Sequence, residues 1–251
     1  MNKQIKNKLI KRIVDVAYKA KEGHIPSSLS ILDILYVLYN TVLKDNPDNK
    51  FILSKGHASL GLYAILEHFN LLEVDLDTFC QFNSKLGGHP TNKIKNVTAS
   101  TGSLGHGLPI AVGMAMAEKI KGTNNKVYCI IGDGETNEGT IWESALLAAN
   151  HKLDNLIVIL DYNHSNDRAL SLDNIIDKFK TFNWFTIDID GHNIQQICVT
   201  VSNARYINDK PKMIIANTIK GKGIKIMENN PEWHHKTPNE EEYNKIMEEL
   251  K

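Results

Sequence analysis

Two polar side chains follow buried, strand-like segments at positions where parallel sheets bind ligands. Asp133 stands between two glycines directly after the apolar run 127–131, and Asn163 follows the next apolar run, 156–160. A strand, a crossover helix and a second strand put both residues at the same edge of neighbouring parallel strands. A carboxylate beside a diphosphate is repulsive unless a cation lies between them, and Mg²⁺ combines protein oxygens with phosphate oxygens. The spacing therefore predicts a divalent-cation site with Asp133 and Asn163 as ligands.

A third segment, 101–107, reads Thr-Gly-Ser-Leu-Gly-His-Gly and opens an alanine-rich helical pattern. Glycines let the backbone approach a ligand closely, and free amides at a helix start attract phosphate. By itself this string is a weak signal, and Asp133 by itself is more typical of a turn. The prediction of a diphosphate site depends on all three segments meeting beyond the carboxyl ends of the strands.

The elements that must position these residues alternate along the chain. Apolar runs predict strands, and residues with helical spacing predict helices between them. The predicted strands are 51–53, 127–131, 156–160, 184–189 and 212–217, and the predicted helices are 5–20, 30–39, 58–69, 108–122, 138–152, 195–207 and 239–251. Continuous apolar strands separated by helices are typical of a mostly parallel sheet with helices on both faces. We therefore expect one α/β domain over residues 1–251.

The overall composition argues against several classes of protein. Of 251 residues, 42% are hydrophobic and 23% are charged, and Lys+Arg and Asp+Glu both number 29. A nucleic-acid-binding protein would normally carry a basic excess, and no segment has the length and apolarity of a signal peptide or membrane span. The three cysteines, Cys80, Cys129 and Cys198, are widely spaced, which argues against a disulfide framework and favours a cytoplasmic location.

Several segments together resemble one known family. An asparagine at a strand end about thirty residues after Gly-Asp-Gly matches the thiamine-diphosphate motif. The matching segments are GHIPSSLSILDIL, LSKGHASLGLYAIL, GGHP, STGSLGHGLPIAVGMA, GDGETNEGTIWESALLAANHKLDNLIVILDYN, KGKGIKIMEN and EWHHKTPN. They resemble the first domain of transketolases, and most of all the separate N-terminal subunits found where the enzyme is split between two chains. The resemblance extends in order over nearly the whole chain and implies the thiamine-diphosphate-binding fold of the diphosphate domain.

The resemblance implies a role for each matching residue. The metal ligands would be the side chains of Asp133 and Asn163 and the backbone carbonyl of Ser165. The residues lining the cofactor would be His57, Gly102, Ser103, Leu104, Asp133, Gly134 and Asn163. The catalytic residues around the reacting carbon and the sugar hydroxyls would be His24, His57, His89 and His234. The cofactor would stabilise a carbanion, and imidazoles with a pKa near neutrality suit the proton transfers.

The implied reaction is the transfer of a two-carbon ketol unit from a ketose, as its phosphate, to an aldose. In the family, a glutamate on a second, pyrimidine-binding domain protonates the cofactor's aminopyrimidine ring. That domain needs well over a hundred further residues, and this sequence ends at Lys251. The resemblance thus implies a separate C-terminal subunit that supplies the glutamate, and a heterotetramer without nucleic-acid or membrane partners.

The sequence departs from the family pattern at two places. His235 stands where a glycine usually follows the Trp-His pair, and the segment 164–173 differs from the usual sequence around the metal-binding carbonyl. These departures put the substrate preference in doubt more than they do cofactor binding. The Lys220–Gly223 string lacks the spacing of a phosphate-binding P-loop and is interpreted as a turn, as is the neighbourhood of His192.

Three alternatives remain open from the sequence alone. A nicotinamide-dependent oxidoreductase would use the glycines around Asp133 and take Asp161 as its ribose-binding carboxylate, but the third glycine is too late for that motif. A regulatory or scaffold chain that inherited the fold would account for the departures. A related carboligation, such as deoxyxylulose-phosphate synthesis, would use the same cofactor.

Overall fold

A computed structural model describes residues 1–166, 170–171 and 173–251. Its centre is a five-stranded sheet in which every paired strand is parallel to its neighbour. The strands are β1 (Lys50–Leu53), β2 (Val127–Gly132), β3 (Leu156–Tyr162), β4 (Phe185–Asp190) and β5 (Lys212–Asn217). Their order across the sheet is β1-β2-β3-β5-β4. The neighbouring positions of β2 and β3 are those that the sequence predicts.

Helices connect the strands and cover the sheet. They are α1 (Lys3–Ala20), α2 (Ile25–Ser30), α3 (Leu32–Asn40), α4 (Val42–Asp45), α5 (Ser59–His68), α6 (Gly107–Ile120), α7 (Gly139–Asn150), α8 (Ile175–Thr181), α9 (Ile194–Ala204) and α10 (Glu240–Glu249). Short 3₁₀ turns lie at Gly56–Ala58, Leu76–Thr78, Asp133–Asn137 and Pro231–Trp233.

The sheet separates two hydrophobic cores, because successive side chains of a strand point to opposite faces. In β2, Tyr128 and Ile130 belong to the core beneath α1, α3, α5 and α9. Cys129 and Ile131 belong to the core beneath α6, α7 and α8. The α/β fold with helices on both faces is therefore confirmed.

Three details differ from the sequence prediction. The predicted helix 30–39 is interrupted at Ile31, whose φ of −104° and ψ of 2° are not helical, so α2 and α3 are separate. Helices α4 and α8 are not among the predicted elements, and α2 precedes the predicted helix 30–39 except at Ser30. Strand β3 continues through Tyr162 rather than ending at Leu160, because Asp161 pairs with Ala216 of β5 in the sheet.

Two further sequence observations can be compared with the structure. Cys80, Cys129 and Cys198 are all free thiols, as their spacing predicts. Over the part of the chain that the structure describes, no helix has the length and apolarity needed to cross a membrane.

Candidate active site

The two predicted metal-binding side chains lie beyond the carboxyl ends of the adjacent strands β2 and β3. The Oδ2 atom of Asp133 accepts a hydrogen bond from the amide of Asn166 at 3.4 Å. The Oδ1 atom of Asn163 accepts hydrogen bonds from the amide of Ser165, at 3.1 Å, and from the hydroxyl of the same residue. The two side chains therefore contact successive amides of a single turn, and this turn carries the third predicted ligand, the Ser165 carbonyl.

The environment of Asp133 suits a bound cation. Its side chain is buried, and burial, together with the charge of Asp161, raises the pKa of its carboxyl group. No ion pair involves Asp133 within the described residues, and its Oδ1 atom accepts only from the amide of Gly134, at 2.8 Å. A Cβ atom added at the next residue, Gly134, would meet nothing within 4 Å, so the space at Gly134 is open. An all-oxygen ligand set of this kind suits a hard divalent cation such as Mg²⁺.

The glycine-rich segment 101–107 lies open beside this site. Gly102, Ser103 and Leu104 are exposed, and α6 begins at Gly107. Gly105 has a φ of +76°, and a Cβ atom there would lie 2.6 Å from the Cβ of Glu138, so only glycine fits. The exposed backbone at the start of α6 can approach an anionic ligand closely.

The buried carboxylate of Glu135 joins three of these segments, a role that the sequence analysis misses. It accepts hydrogen bonds from the Ser54 hydroxyl at 2.6 Å, the Gly105 amide at 2.8 Å and the Gly132 amide at 2.9 Å. Burial raises the pKa of Glu135 despite these donors. Nothing in the local sequence distinguishes it from a surface glutamate, because two of its three donors, Ser54 and Gly105, come from distant segments.

Three of the four predicted catalytic histidines form a cluster. The ring centroids of His24 and His57 are 5.2 Å apart, those of His24 and His234 are 5.6 Å apart, and those of His57 and His234 are 6.5 Å apart. His89 lies close by, since its Cδ2 atom would be 3.4 Å from a Cβ atom added at Gly102. The structure therefore places His89 beside the exposed glycine segment and brings the other three histidines together.

Burial determines the charge state of this cluster. Desolvation, followed by the neighbouring charges, lowers the pKa of His24 to about 4 and that of His57 to about 2. Both rings are therefore neutral at neutral pH, and each offers one nitrogen that donates and one that accepts. These values lie below the near-neutral pKa that the sequence analysis expects, because the rings are buried, and the neutral rings can bind sugar hydroxyls through both nitrogens.

Lys220, which the sequence analysis assigns to a turn, also faces this cluster. Its Nζ atom lies 2.9 Å from Nδ1 of His234. An ammonium group can only donate, so Nδ1 accepts and the proton of the neutral ring is on Nε2. Burial, together with the charge of Lys55, lowers the pKa of Lys220 to about 8. The lysine thus fixes the orientation and tautomer of His234.

A buried ion pair between Lys55 and Asp161 lies behind the site. Both side chains are almost completely buried, and Lys55 Nζ donates to Asp161 Oδ2. Asp161 also accepts from the hydroxyl of Ser30 at 2.7 Å, from Nδ2 of Asn163 at 2.9 Å and from Thr218. Burial raises the pKa of Asp161, but the charge and hydrogen bonds of Lys55 outweigh it and keep that pKa low. This carboxylate is completely buried and both of its oxygens accept hydrogen bonds from the chain, so it is not accessible to a ribose as the oxidoreductase alternative requires.

This geometry can be compared with known proteins. A family model described as "Transketolase, thiamine diphosphate binding domain" matches residues 1–250. The chain belongs to the transketolase family. Membership accounts for the cofactor, because this domain of transketolases binds thiamine diphosphate together with a divalent cation. The chain is accordingly a transketolase-type transferase subunit.

Similar proteins include separate subunits of other transketolases. An apulose-4-phosphate transketolase subunit of Phocaeicola vulgatus is 38% identical, over 96% of this chain and 90% of that protein. A 6-deoxy-6-sulfo-D-fructose transketolase subunit of a Clostridium species is 37% identical, over 91% of this chain and 88% of that protein. Both names describe one subunit of a transketolase, which implies a second subunit in each of those enzymes.

The solved structures agree with this assignment. The crystal structure of transketolase from Campylobacter jejuni superposes with a TM-score of 0.90 and 32% sequence identity. The match covers 100% of this chain and 43% of that transketolase. The chain therefore spans less than half the length of the single-chain transketolase that it matches.

The departures from the transketolase pattern lie close to the site. His235 stacks near His24, with ring centroids 4.3 Å apart, and its Nε2 atom lies 2.6 Å from Oε1 of Glu22. Of the divergent segment 164–173, residues 167–169 and 172 lie outside the described residues. His192 lies in a turn, as predicted, where it contacts Asp33 at 2.9 Å and accepts from the Ile219 amide at 2.8 Å.

Proposed function

We propose that this chain is the cofactor-binding half of a two-subunit transketolase that transfers a ketol unit from a ketose phosphate to an aldose. The supporting observation is the convergence of the Asp133–Asn163 ligand pair, the open glycine segment and the histidine cluster beyond one edge of the sheet. Residues 1–251 would form a single diphosphate-binding domain. The pyrimidine-binding and C-terminal domains would belong to the partner.

Two groups of site residues would hold the cofactor. Asp133, Asn163 and the Ser165 carbonyl would hold the divalent cation, which links the protein to the diphosphate. The remaining contacts to the cofactor would come from His57, Gly102, Ser103, Leu104 and Gly134. Bound thiamine diphosphate supplies the carbanion stabilisation that a ketol transfer requires.

The histidines would act on the sugar. His24, His57, His89 and His234 would bind the hydroxyl groups of the ketose and move protons to and from them. The neutral rings of His24 and His57 favour this role, because each has one nitrogen that can accept from one hydroxyl and one that can donate a hydrogen bond to another. The hydrogen bond from Lys220 leaves Nε2 of His234 as the donor toward the substrate.

A separate C-terminal subunit would complete the site. It would supply the glutamate that protonates the aminopyrimidine ring of the cofactor, and two copies of each chain would form a heterotetramer. The relatives that are named as one subunit of a transketolase support a partner of this kind. The free thiols of Cys80, Cys129 and Cys198 suit the reducing cytoplasm, which is the proposed compartment.

The substrate is proposed to be a sugar with an anionic group. The names of two relatives describe a sugar phosphate and a sulfonated sugar. The basic Lys220 lies beside the histidine cluster and could contact such an anionic group. Most contacts to the substrate anion, however, would come from the partner subunit. A ketose phosphate is therefore the first donor to test.

The decisive experiment measures cofactor binding and ketol transfer separately. Thiamine diphosphate is titrated into the chain with its partner, in the presence and absence of Mg²⁺, and a panel of ketose phosphates is then assayed with aldose acceptors. Asp133→Ala should abolish Mg²⁺-dependent binding while leaving the fold intact, because it removes the charged cation ligand. Unchanged cofactor affinity in this variant, or no ketol transfer from any donor with the wild-type complex, would contradict the proposal.

A further inference from the structure

A second group of potential metal ligands lies at the outer side of the histidine cluster. Glu22 and His24 flank Gly23, and His235 approaches them from the turn that follows Pro231–Trp233. One ligand atom from each of Glu22, His24 and His235 can be chosen so that all three lie within 4.8 Å of one another. It is the one such group of histidine, cysteine and acidic side chains found within residues 1–166, 170–171 and 173–251.

We propose that Glu22, His24 and His235 bind a transition-metal ion, with Zn²⁺ as the preferred metal. Two imidazoles and a carboxylate are a ligand set that suits Zn²⁺, and three protein ligands leave a fourth position open for water or another small ligand. This site is separate from the oxygen-only site of Asp133 and Asn163. The two sites would select different metals, because imidazole favours zinc whereas carboxylate and carbonyl oxygens favour magnesium.

The geometry requires only a small adjustment. In a tetrahedral zinc site the ligand atoms are about 3.3 Å apart, and the His235 Nε2 and Glu22 Oε1 atoms are already 2.6 Å apart. These two side chains are 53% and 39% exposed, so their rotamers can adjust and a metal ion can reach them from solvent. His24 is less exposed and would provide the fixed ligand.

The local contacts favour binding. Nε2 of His235 donates to Oε1 of Glu22. A bound metal ion would take the place of that shared proton, since metal binding releases protons from its ligands. The amide of Gly23 donates to Oε1 of Glu22 at 3.0 Å and restrains the carboxylate, as outer-shell hydrogen bonds commonly do at metal sites.

Metal binding would have a consequence for catalysis, and this consequence rests on the proposed function. A metal ion on His24 would occupy a nitrogen that is otherwise available to the sugar. Zn²⁺ would then inhibit ketol transfer in competition with the ketose, and a chelator would reverse the inhibition. The histidine at position 235, in place of the usual glycine, would make ketol transfer sensitive to Zn²⁺.

The test is a calorimetric titration of the full chain with Zn²⁺ alone, in excess Mg²⁺ and without thiamine diphosphate or partner. All proteins carry Cys80→Ser, so that this exposed thiol cannot bind the metal. We expect a single tight Zn²⁺ per chain in this background. Loss of an outer-shell partner weakens metal binding by about 10–100-fold, so removal of a ligand by His235→Gly or Glu22→Gln should weaken it by about 100-fold or more.

A matched control separates this site from nonspecific binding to histidines. His151→Gly removes an exposed histidine at the end of α7 and should leave the affinity unchanged. Co²⁺ in place of Zn²⁺ should give the visible absorption of a four-coordinate site in the background protein but not in His235→Gly. Equal Zn²⁺ affinity in the background protein and in His235→Gly would overturn the proposal. Because the titration contains no cofactor, failure of the proposed ketol transfer would leave its outcome unaffected.

Discussion

The carboxylate of Glu135 accepts a hydrogen bond from the backbone amide of Gly105 at 2.8 Å, and so ties the glycine segment to the end of β2. The same oxygen accepts from the hydroxyl of Ser54 at 2.6 Å, on the segment after β1. One buried side chain thus holds three segments of the candidate site together. Glu135 is a positioning residue, since it contacts the backbone of the site rather than its open face.

Replacing Glu135 with glutamine should destabilise the fold and weaken cofactor binding. The amide group of glutamine has two donors, and one of them would face the amide of Gly132 or Gly105, each of which also donates. An unsatisfied buried donor costs about 1–3 kcal/mol. Chemical denaturation should show this loss in Glu135→Gln, and a titration should show weaker thiamine diphosphate binding. Glu73→Gln, at an exposed ion pair with Lys95, is the control and should change neither quantity.

Replacing Asp133 with asparagine should separate stability from function. Burial, and then the charge of Asp161, raises the pKa of Asp133. In the folded chain without a cation, the charged form of this carboxyl group is therefore disfavoured. The neutral asparagine removes this unfavourable charge and should therefore keep the free energy of unfolding or raise it. Mg²⁺-dependent cofactor binding should be lost. A clear fall in stability without Mg²⁺ would contradict this account of the site.

Replacing Lys55 with methionine should be strongly destabilising, because the charge of Asp161 would remain buried without its partner. Breaking a buried ion pair from one side costs about 3–5 kcal/mol. The double variant Lys55→Met with Asp161→Asn should recover part of the loss, since it removes both charges. A double-mutant cycle measured by denaturant unfolding gives the coupling. Strict additivity of the two single changes would show that the pair is not coupled.

Lys212 should make the stability depend on pH. Its side chain is fully buried and donates to the carbonyl of Asp154, and burial lowers its pKa from 10.5 to about 8. The unfolded chain therefore binds this proton more tightly. The resulting penalty is complete below pH 8 and disappears as the pH rises toward 10.5.

Lys212→Met should thus stabilise the protein at pH 7 by on the order of 1–3 kcal/mol, after allowance for the lost hydrogen bond. The advantage should shrink between pH 8 and 10.5. Thermal or denaturant unfolding across this range measures the difference. The exposed Lys93→Met is the control, and an advantage of constant size at every pH would contradict the explanation.

The sequence predicts the parallel α/β sheet and the strand-end positions of Asp133 and Asn163, because both follow from local patterns. Continuous apolar runs in the sequence indicate buried strands. A single crossover helix between two consecutive strands leaves little freedom in where the ends of those strands lie. The strand order is different: β5 lies between β3 and β4. No local pattern in the sequence predicts which non-consecutive strands pair with each other.

By itself, the sequence determined the fold class and the positions of Asp133 and Asn163 after adjacent strands, and the family motifs indicated which four histidines to consider. Only the tertiary structure decided which side chains from distant segments meet. The ion pair of Lys55 with Asp161, the hydrogen bonds of Ser54 and Gly105 to Glu135 and the approach of His235 to Glu22 all join residues that are far apart in the chain. Such contacts depend on packing between whole elements, since burial and charge pairing are properties of the folded chain and not of any segment alone.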